Sequence, residues 1–322
     1  MRDRAERTVS ACEPAVEVED LTKRYGDRVA LGGVSFAVER GEFFGLLGPN
    51  GGGKSTLFRI LSTASLPDSG SARVLGTDVA TSAAKVRPRI GVVFQSPSLD
   101  RKLTVAENLR HQGHLYGLCG RELAGRIESS LARFGLADRA KDRVETLSGG
   151  LARRVEVAKG LLHRPEVLLL DEPSTGLDPG SRADLAAQLA EIRGKDGVTV
   201  LLTTHLLEEA DGCDRLALLD RGRLVACGSP AALKGEFAGE IVSIETKDTE
   251  EVRGLVAERF GLAARISPPF SVRLEHPRAH EIVPRLVEAL GARIESITVG
   301  RPTLGDVYLA RTGRRFAPEE AQ

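Results

Sequence analysis

The sequence predicts an α/β fold with a smaller α+β domain after it. Two observations carry the first part. Short, unbroken apolar runs at residues 43–47, 90–94, 167–170, 198–203 and 216–219 suit strands covered on both faces. Longer amphipathic stretches separate them, so the strands alternate with helices around a mixed or parallel sheet. A third observation, a change of pattern around 228–239, marks the second domain.

The elements follow in order. Residues 1–14 are polar and charged, without the apolar centre of a signal peptide, and read as a disordered leader. The main domain spans 15–238, with a mainly helical insert from about 103 to 162 that breaks near Gly120 and Leu147. The accessory domain, 239–322, offers a strand at 241–246 and a helix at 249–260, then Pro268-Pro269 and another strand. A helix at 280–290, a strand at 293–299 and a last helix from Thr303 complete it.

Composition narrows the function. Acids and bases balance at 45 each, whereas a nucleic-acid binder usually carries a basic excess. Cys12, Cys119, Cys213 and Cys227 are scattered, as reduced cytosolic thiols are. No apolar run approaches the roughly 20 residues needed to cross a bilayer.

Gly48-Pro49-Asn50-Gly51-Gly52-Gly53-Lys54-Ser55-Thr56 follows a predicted strand and opens a helix with Leu57, Ile60 and Leu61 on one face. That is the P-loop pattern in its confirming context. Glycines let backbone N–H groups close on phosphates, Lys54 supplies a point charge, and the Ser55 hydroxyl suits Mg²⁺. Residues 167–170 form an apolar strand ending in Asp171-Glu172. Asp171 can hold the Mg²⁺ hydration shell and Glu172 can polarise an attacking water. Alone, such a pair is a solvated turn; ligands in sheets of this kind bind at carboxyl strand ends, where the P-loop also lies. Ser148-Gly149-Gly150 precedes a helix and reads either as a capped turn or as a second anion-binding helix start.

This ordered set resembles the ATPase subunit of ABC (ATP-binding cassette) transporters, from about residue 16 to residue 228. The resemblance implies a P-loop NTPase fold with a RecA-like core, an antiparallel N-terminal subdomain and a helical insert, which makes 15–238 the ATP-binding domain. It implies a dimer, of two copies or with a second ABC ATPase, that sandwiches ATP and Mg²⁺ between one subunit's P-loop and the other's Ser148-Gly149-Gly150. It also implies an integral membrane permease as partner, which would hold the chain peripherally at the cytoplasmic face of the membrane. By the same resemblance, Tyr25 stacks on adenine and Gln95 reaches the Mg²⁺ and water. His205 senses the γ-phosphate, and Asp178 links the two sites. Asp178-Pro179 also reads simply as a helix cap followed by proline at the first helical position.

Two positions depart from the family: Leu151 where glutamine is usual, and Gly52 where alanine or serine is commoner. The stretch at 302–314 resembles the closing motif of drug-exporting ABC ATPases of the daunorubicin-resistance type, with Gly305 as its departure. That points to efflux of a hydrophobic compound. The rival reading is a soluble ABC ATPase that remodels nucleic acid or ribosomes; the single cassette and compact insert count against it. A drug-sequestering binding protein is a third reading, opposed by the complete hydrolytic set. The pairs His111/His114 and His276/His280 have near-helical spacing, but no further ligand completes a metal set and Pro277 breaks the second.

Overall fold

Along β1 (Val16–Tyr25) the side chains of Val16, Val18 and Leu21 are buried while Glu19 and Asp20 face water. The alternation slips by one residue at Asp20, whose φ of 49° marks a bulge. This strand belongs to a computed structural model that describes residues 13–267 and 269–316. Residues 1–12 of the expected leader, and Pro268, therefore lie outside the described residues. The described residues fall into two compact units, 13–44 with 54–203 and 45–53 with 204–316.

In the first unit β1 pairs antiparallel with β2 (Arg28–Val38). At Gly45 β3 (Phe43–Leu47) carries the chain into the second unit, and α1 (Lys54–Leu61) returns it. β4 (Ser69–Val74) lies on the other edge of β1, and the short β5 (Thr77–Asp78) lies beyond it. This is the antiparallel subdomain that the family resemblance implies.

A single helical turn, α2 (Ala83–Val86), precedes β6 (Ile90–Val93). The insert follows as α3 (Val105–Leu115), α4 (Gly120–Arg133) and α5 (Gly149–Leu161). Thr104 and Glu107 form a complete capping box on α3, and Leu123, Ile127 and Leu131 give α4 its buried stripe. β7 (Val167–Asp171), α6 (Pro179–Asp196) and β8 (Thr199–Thr204) complete the unit. β6, β7 and β8 run parallel in that order, with Val93 opposite Leu170 and Asp171 opposite Thr203. Every residue of β7 and β8 is buried, which is why these segments read as unbroken apolar runs.

The second unit continues from β8 through α7 (Leu207–Asp211) into a hairpin of β9 (Arg215–Asp220) and β10 (Arg223–Gly228). After α8 (Pro230–Lys234) come β11 (Glu240–Glu245), α9 (Thr249–Phe260), β12 (Ala264–Ser267), β13 (Ser271–His276), α10 (Ala279–Leu290) and β14 (Ser296–Gly300). The four strands pair antiparallel in the order β12-β13-β11-β14, a ferredoxin-like βαββαβ arrangement. Val242, Ile244, Val256, Val272 and Leu286 form its core. The strand expected at 293–299 begins only at Ser296, because residues 291–293 form a 3₁₀ turn.

The last helix, α11 (Leu304–Thr312), starts on a capping box of Thr303 and Asp306. It does not pack on its own small domain's core. Leu304, Val307 and Tyr308 share a cluster with Leu47, Leu216 and Leu218 instead.

Candidate functional site

The glycines between β3 and α1 are required by their surroundings. A Cβ on Gly48 would lie 2.4 Å from the Leu219 carbonyl oxygen. Gly51 and Gly53 hold φ of 73° and 103°, which side-chain-bearing residues rarely adopt. Gly48 N–H donates to Thr204 O at 3.3 Å, tying the loop's start to the end of β8. The loop runs into α1 at Lys54, with Ser55 and Thr56 in its half-buried first turn and Leu57, Phe58, Ile60 and Leu61 inside. A helix that starts this way points backbone N–H groups at an anion.

Within the first unit, Lys54, Gln95, Asp171 and Glu172 come together around the end of β7. Lys54 Nζ lies 3.4 Å from Glu172 Oε1. Gln95 Nε2 donates to Glu172 Oε2 at 3.3 Å, and Thr175 Oγ1 donates to the same oxygen at 3.2 Å. Glu172 sits in the left-handed region at φ 45°, an uncommon backbone state that clusters at functional sites. Its N–H is held by Thr203, through Oγ1 at 3.0 Å and the carbonyl at 3.1 Å. Thr203 Oγ1 in turn donates to Asp171 Oδ1 at 2.6 Å.

Burial governs the charges here. It pushes the Asp171 carboxyl above its ordinary range, opposed by the Thr203 hydrogen bond. It pushes the Lys54 ammonium below its ordinary range, with Glu172 working the other way. A desolvated ammonium beside two carboxylates is poised to meet further negative charge. Ser55, Gln95 and Asp171 offer a hydroxyl, an amide and one carboxylate. That donor set fits Mg²⁺, which keeps waters and shares substrate phosphates rather than filling an all-protein cage. Among the described residues no group of three or more His, Cys, Asp or Glu could hold a metal, the two histidine pairs included.

Ser148, Gly150 and Asp178 form a second group. Ser148 caps α5, accepting from Leu151 N–H at 3.4 Å. Asp178 caps α6, accepting from Ser181 N–H at 2.9 Å and Ser181 Oγ at 2.7 Å. These bonds hold its carboxyl below the ordinary range. A Cβ on Gly150 would lie 2.5 Å from Ser181 Oγ, so the two helix starts adjoin, and Gly149 has open space. Tyr25 ends β1 with half its surface exposed, and Lys23 Nζ sits 5.6 Å from its ring centroid. His205 follows β8 directly, half-buried, in the second unit.

Two residues that sequence reasoning missed complete the framework. One is Thr203, whose only signal was a polar residue at the end of an apolar strand. The other is Arg153 on α5. Its buried guanidinium donates to the carbonyls of Phe94, Asp171, Glu172 and Pro173, and it pairs with Glu156 at 2.6 Å. It thus ties the helix capped by Ser148 to the strand ends carrying Gln95 and Glu172. An Arg-x-x-Glu pair on an otherwise apolar helix face was the available signal.

Comparison with known proteins finds relatives by sequence and by fold. The family model described as ABC transporter matches residues 31–175. A daunorubicin resistance ATP-binding protein of Streptomyces coeruleorubidus is 40% identical over 317 residues, covering 96% of this chain and 99% of that protein. The solved cbiO1 of Clostridium perfringens, part of an ABC transporter complex, is 30% identical with a TM-score of 0.65, over 78% of this chain and 97% of its own. A dimeric ATP-binding cassette bound to ADP and Pi is 28% identical with a TM-score of 0.61, over 66% of this chain and 98% of its own.

Proposed function

This chain belongs to the ABC transporter family as an ATP-hydrolysing, nucleotide-binding cassette, and from that premise we propose that it powers efflux of a hydrophobic drug or antibiotic through a separate membrane permease. Among the described residues no helix is long and apolar enough to cross a membrane, so the pathway itself falls to a partner. The near-full-length likeness to a daunorubicin resistance protein supports a drug as cargo. On this reading the chain sits at the cytoplasmic face, held there by the permease.

The observation that carries the mechanism is the buried cluster of Lys54, Gln95, Asp171 and Glu172. ATP is the substrate whose terminal phosphoryl group passes to water; Ser55, Gln95 and Asp171 would hold Mg²⁺, which would supply charge neutralisation on the phosphates. Backbone N–H groups of Gly51, Gly52, Gly53 and Lys54, with Pro49 and Asn50 shaping the turn, cradle the phosphates, and Ser55 and Thr56 extend that cradle. Lys54 exchanges the Glu172 carboxylate for phosphate oxygens, which frees Glu172 to accept a proton from the attacking water. Gln95 orients that water. His205 donates to the terminal phosphate, and Tyr25 presents its exposed face to the base. Asp171 and Glu172 stay in register because Thr203 bonds both.

The proposal includes a dimer in which Ser148, Gly149 and Gly150 of one subunit cover the nucleotide of the other, with Asp178 beside that seam. We propose 15–238 as the cassette and 239–322 as an accessory domain whose final helix lodges in the cassette's core. The test is transport by inside-out vesicles containing the chain and the membrane protein that co-purifies with it. A fluorescent anthracycline should accumulate with ATP, and fail to do so with Lys54→Ala subunits. Accumulation that persists with Lys54→Ala, or a chain that recovers no membrane protein, would overturn the reading.

A further inference from the structure

The loop at Gly48–Gly53 rests on the β9–β10 hairpin, and both belong to the second unit. Besides the close approach of Gly48, a Cβ on Gly52 would lie 3.3 Å from the same Leu219 carbonyl oxygen. Gly222 N–H donates to the Gly52 carbonyl at 3.0 Å. The hairpin turns through Arg221 and Gly222 at φ 48° and 74°, as a two-residue type I′ turn requires. For Arg221 that backbone state is unfavourable by itself and persists only where neighbours enforce it.

Beside that turn stands Asp220, which lies between the two loop-touching positions and is held from α11 and the residues just after it. Tyr308 O–H donates to Asp220 Oδ1 at 2.9 Å, and the Arg314 guanidinium pairs with Oδ2. Asp220 is only 8% exposed and Tyr308 3%, so each needs the other's hydrogen bond. Burial, and then the Asp220 bond, hold the Tyr308 hydroxyl above its ordinary pKa, which keeps it a donor at neutral pH. Its ring meets Phe316 edge-on at 5.1 Å. At the other end of α11, the capping residue Asp306 pairs with Arg273 on β13. One helix therefore joins the βαββαβ sheet to the hairpin under the loop.

We propose that Tyr308 and Arg314 are positioning residues for nucleotide binding, fixing the β9–β10 turn through Asp220 and, through the turn, the backbone of Gly48–Gly52. The inference rests on the reading of that loop as the phosphate cradle. It gives the chain beyond residue 239 a part in ATP affinity, although every group assigned to phosphate, metal or base contact lies before it.

Tyr308→Phe tests this with little disturbance, since it keeps the ring on Phe316 and removes only the hydroxyl. Steady-state hydrolysis should show KM for ATP raised about 3- to 10-fold with kcat within about twofold, and titration with a fluorescent ADP analogue should show the same loss. Arg314→Ala should act in the same direction, and Arg314→Lys should recover most of the affinity. Tyr308→Phe with unchanged KM, whether or not its Tm falls, would overturn the proposal and leave α11 as packing alone. Lys54→Ala serves as the separate check on the loop: if it binds the analogue as well as the unaltered protein does, the phosphate-cradle reading fails and this inference with it.

Discussion

Lys54 Nζ and Glu172 Oε1 stand 3.4 Å apart, at 3% and 7% side-chain exposure. Two opposite charges withdrawn from water in this way hold each other at a cost in desolvation that their pairing, with the Gln95 and Thr175 bonds to Glu172, helps to offset. The arrangement keeps a base next to the cation that a phosphate would claim. On the proposed mechanism, a nucleotide that takes Lys54 would also release the carboxylate that acts on water.

Glu172→Gln should lose about 10²- to 10⁴-fold in kcat while keeping nucleotide affinity, because the amide retains the shape but cannot accept a proton. Phosphate release measured beside equilibrium binding decides it. Turnover near that of the unaltered protein would remove Glu172 from the role of base.

Arg153→Met should destabilise the fold by about 3–5 kcal/mol, since it leaves the buried Glu156 carboxylate without its cation. Glu156 also accepts from Ser98 N–H at 2.7 Å, so Glu156→Gln keeps that bond. The double variant should then regain part of the loss, a coupling visible in denaturant unfolding. Strictly additive losses would show that the pair does not act as a unit.

His163 makes a prediction about pH. Its Nε2 lies 2.9 Å from the Ile90 carbonyl, its ring stacks on Tyr116 at 3.7 Å, and its buried Nδ1 has no partner among the described residues. Burial holds its pKa below the ordinary value, and the nearby Arg126 adds to that, against the Ile90 bond. The folded chain thus binds this proton less readily than the unfolded one. The stability is fully present above the ordinary histidine pKa of about 6.5 and is lost as pH falls below it. Melting temperatures from pH 7.5 to 5 should fall less steeply in His163→Phe. Equal slopes would dismiss the assignment.

What the sequence disclosed was local or ordered along the chain. The strand, glycine loop and helix around Lys54 announce themselves because each constrains its immediate neighbours. Asp171-Glu172 is legible because an apolar strand must end where charge begins. Thr203 and Arg153 were not legible, since their partners are carbonyls and carboxylates at the ends of strands far away in sequence. The apolar face of α11 was visible as Leu304, Val307, Tyr308 and Leu309, but not its place. Only the fold brings Leu47 and Leu216 to it, and with them the bond from Tyr308 to Asp220.

The cluster joining Leu47 to Leu304, Val307 and Tyr308 also sets an order of manufacture. Its first member leaves the ribosome roughly 250 residues ahead of its last, an interval of about 10–50 s at ordinary rates of synthesis. Until α11 emerges, Leu47, Leu216 and Leu218 lack the part of their cover that Leu304, Val307 and Tyr308 provide, and Asp220 beside the turn at Arg221 lacks its Tyr308 partner. A nascent chain stalled before residue 304 would carry the whole glycine loop in its sequence yet leave Leu47, Leu216 and Leu218 without that helix's cover.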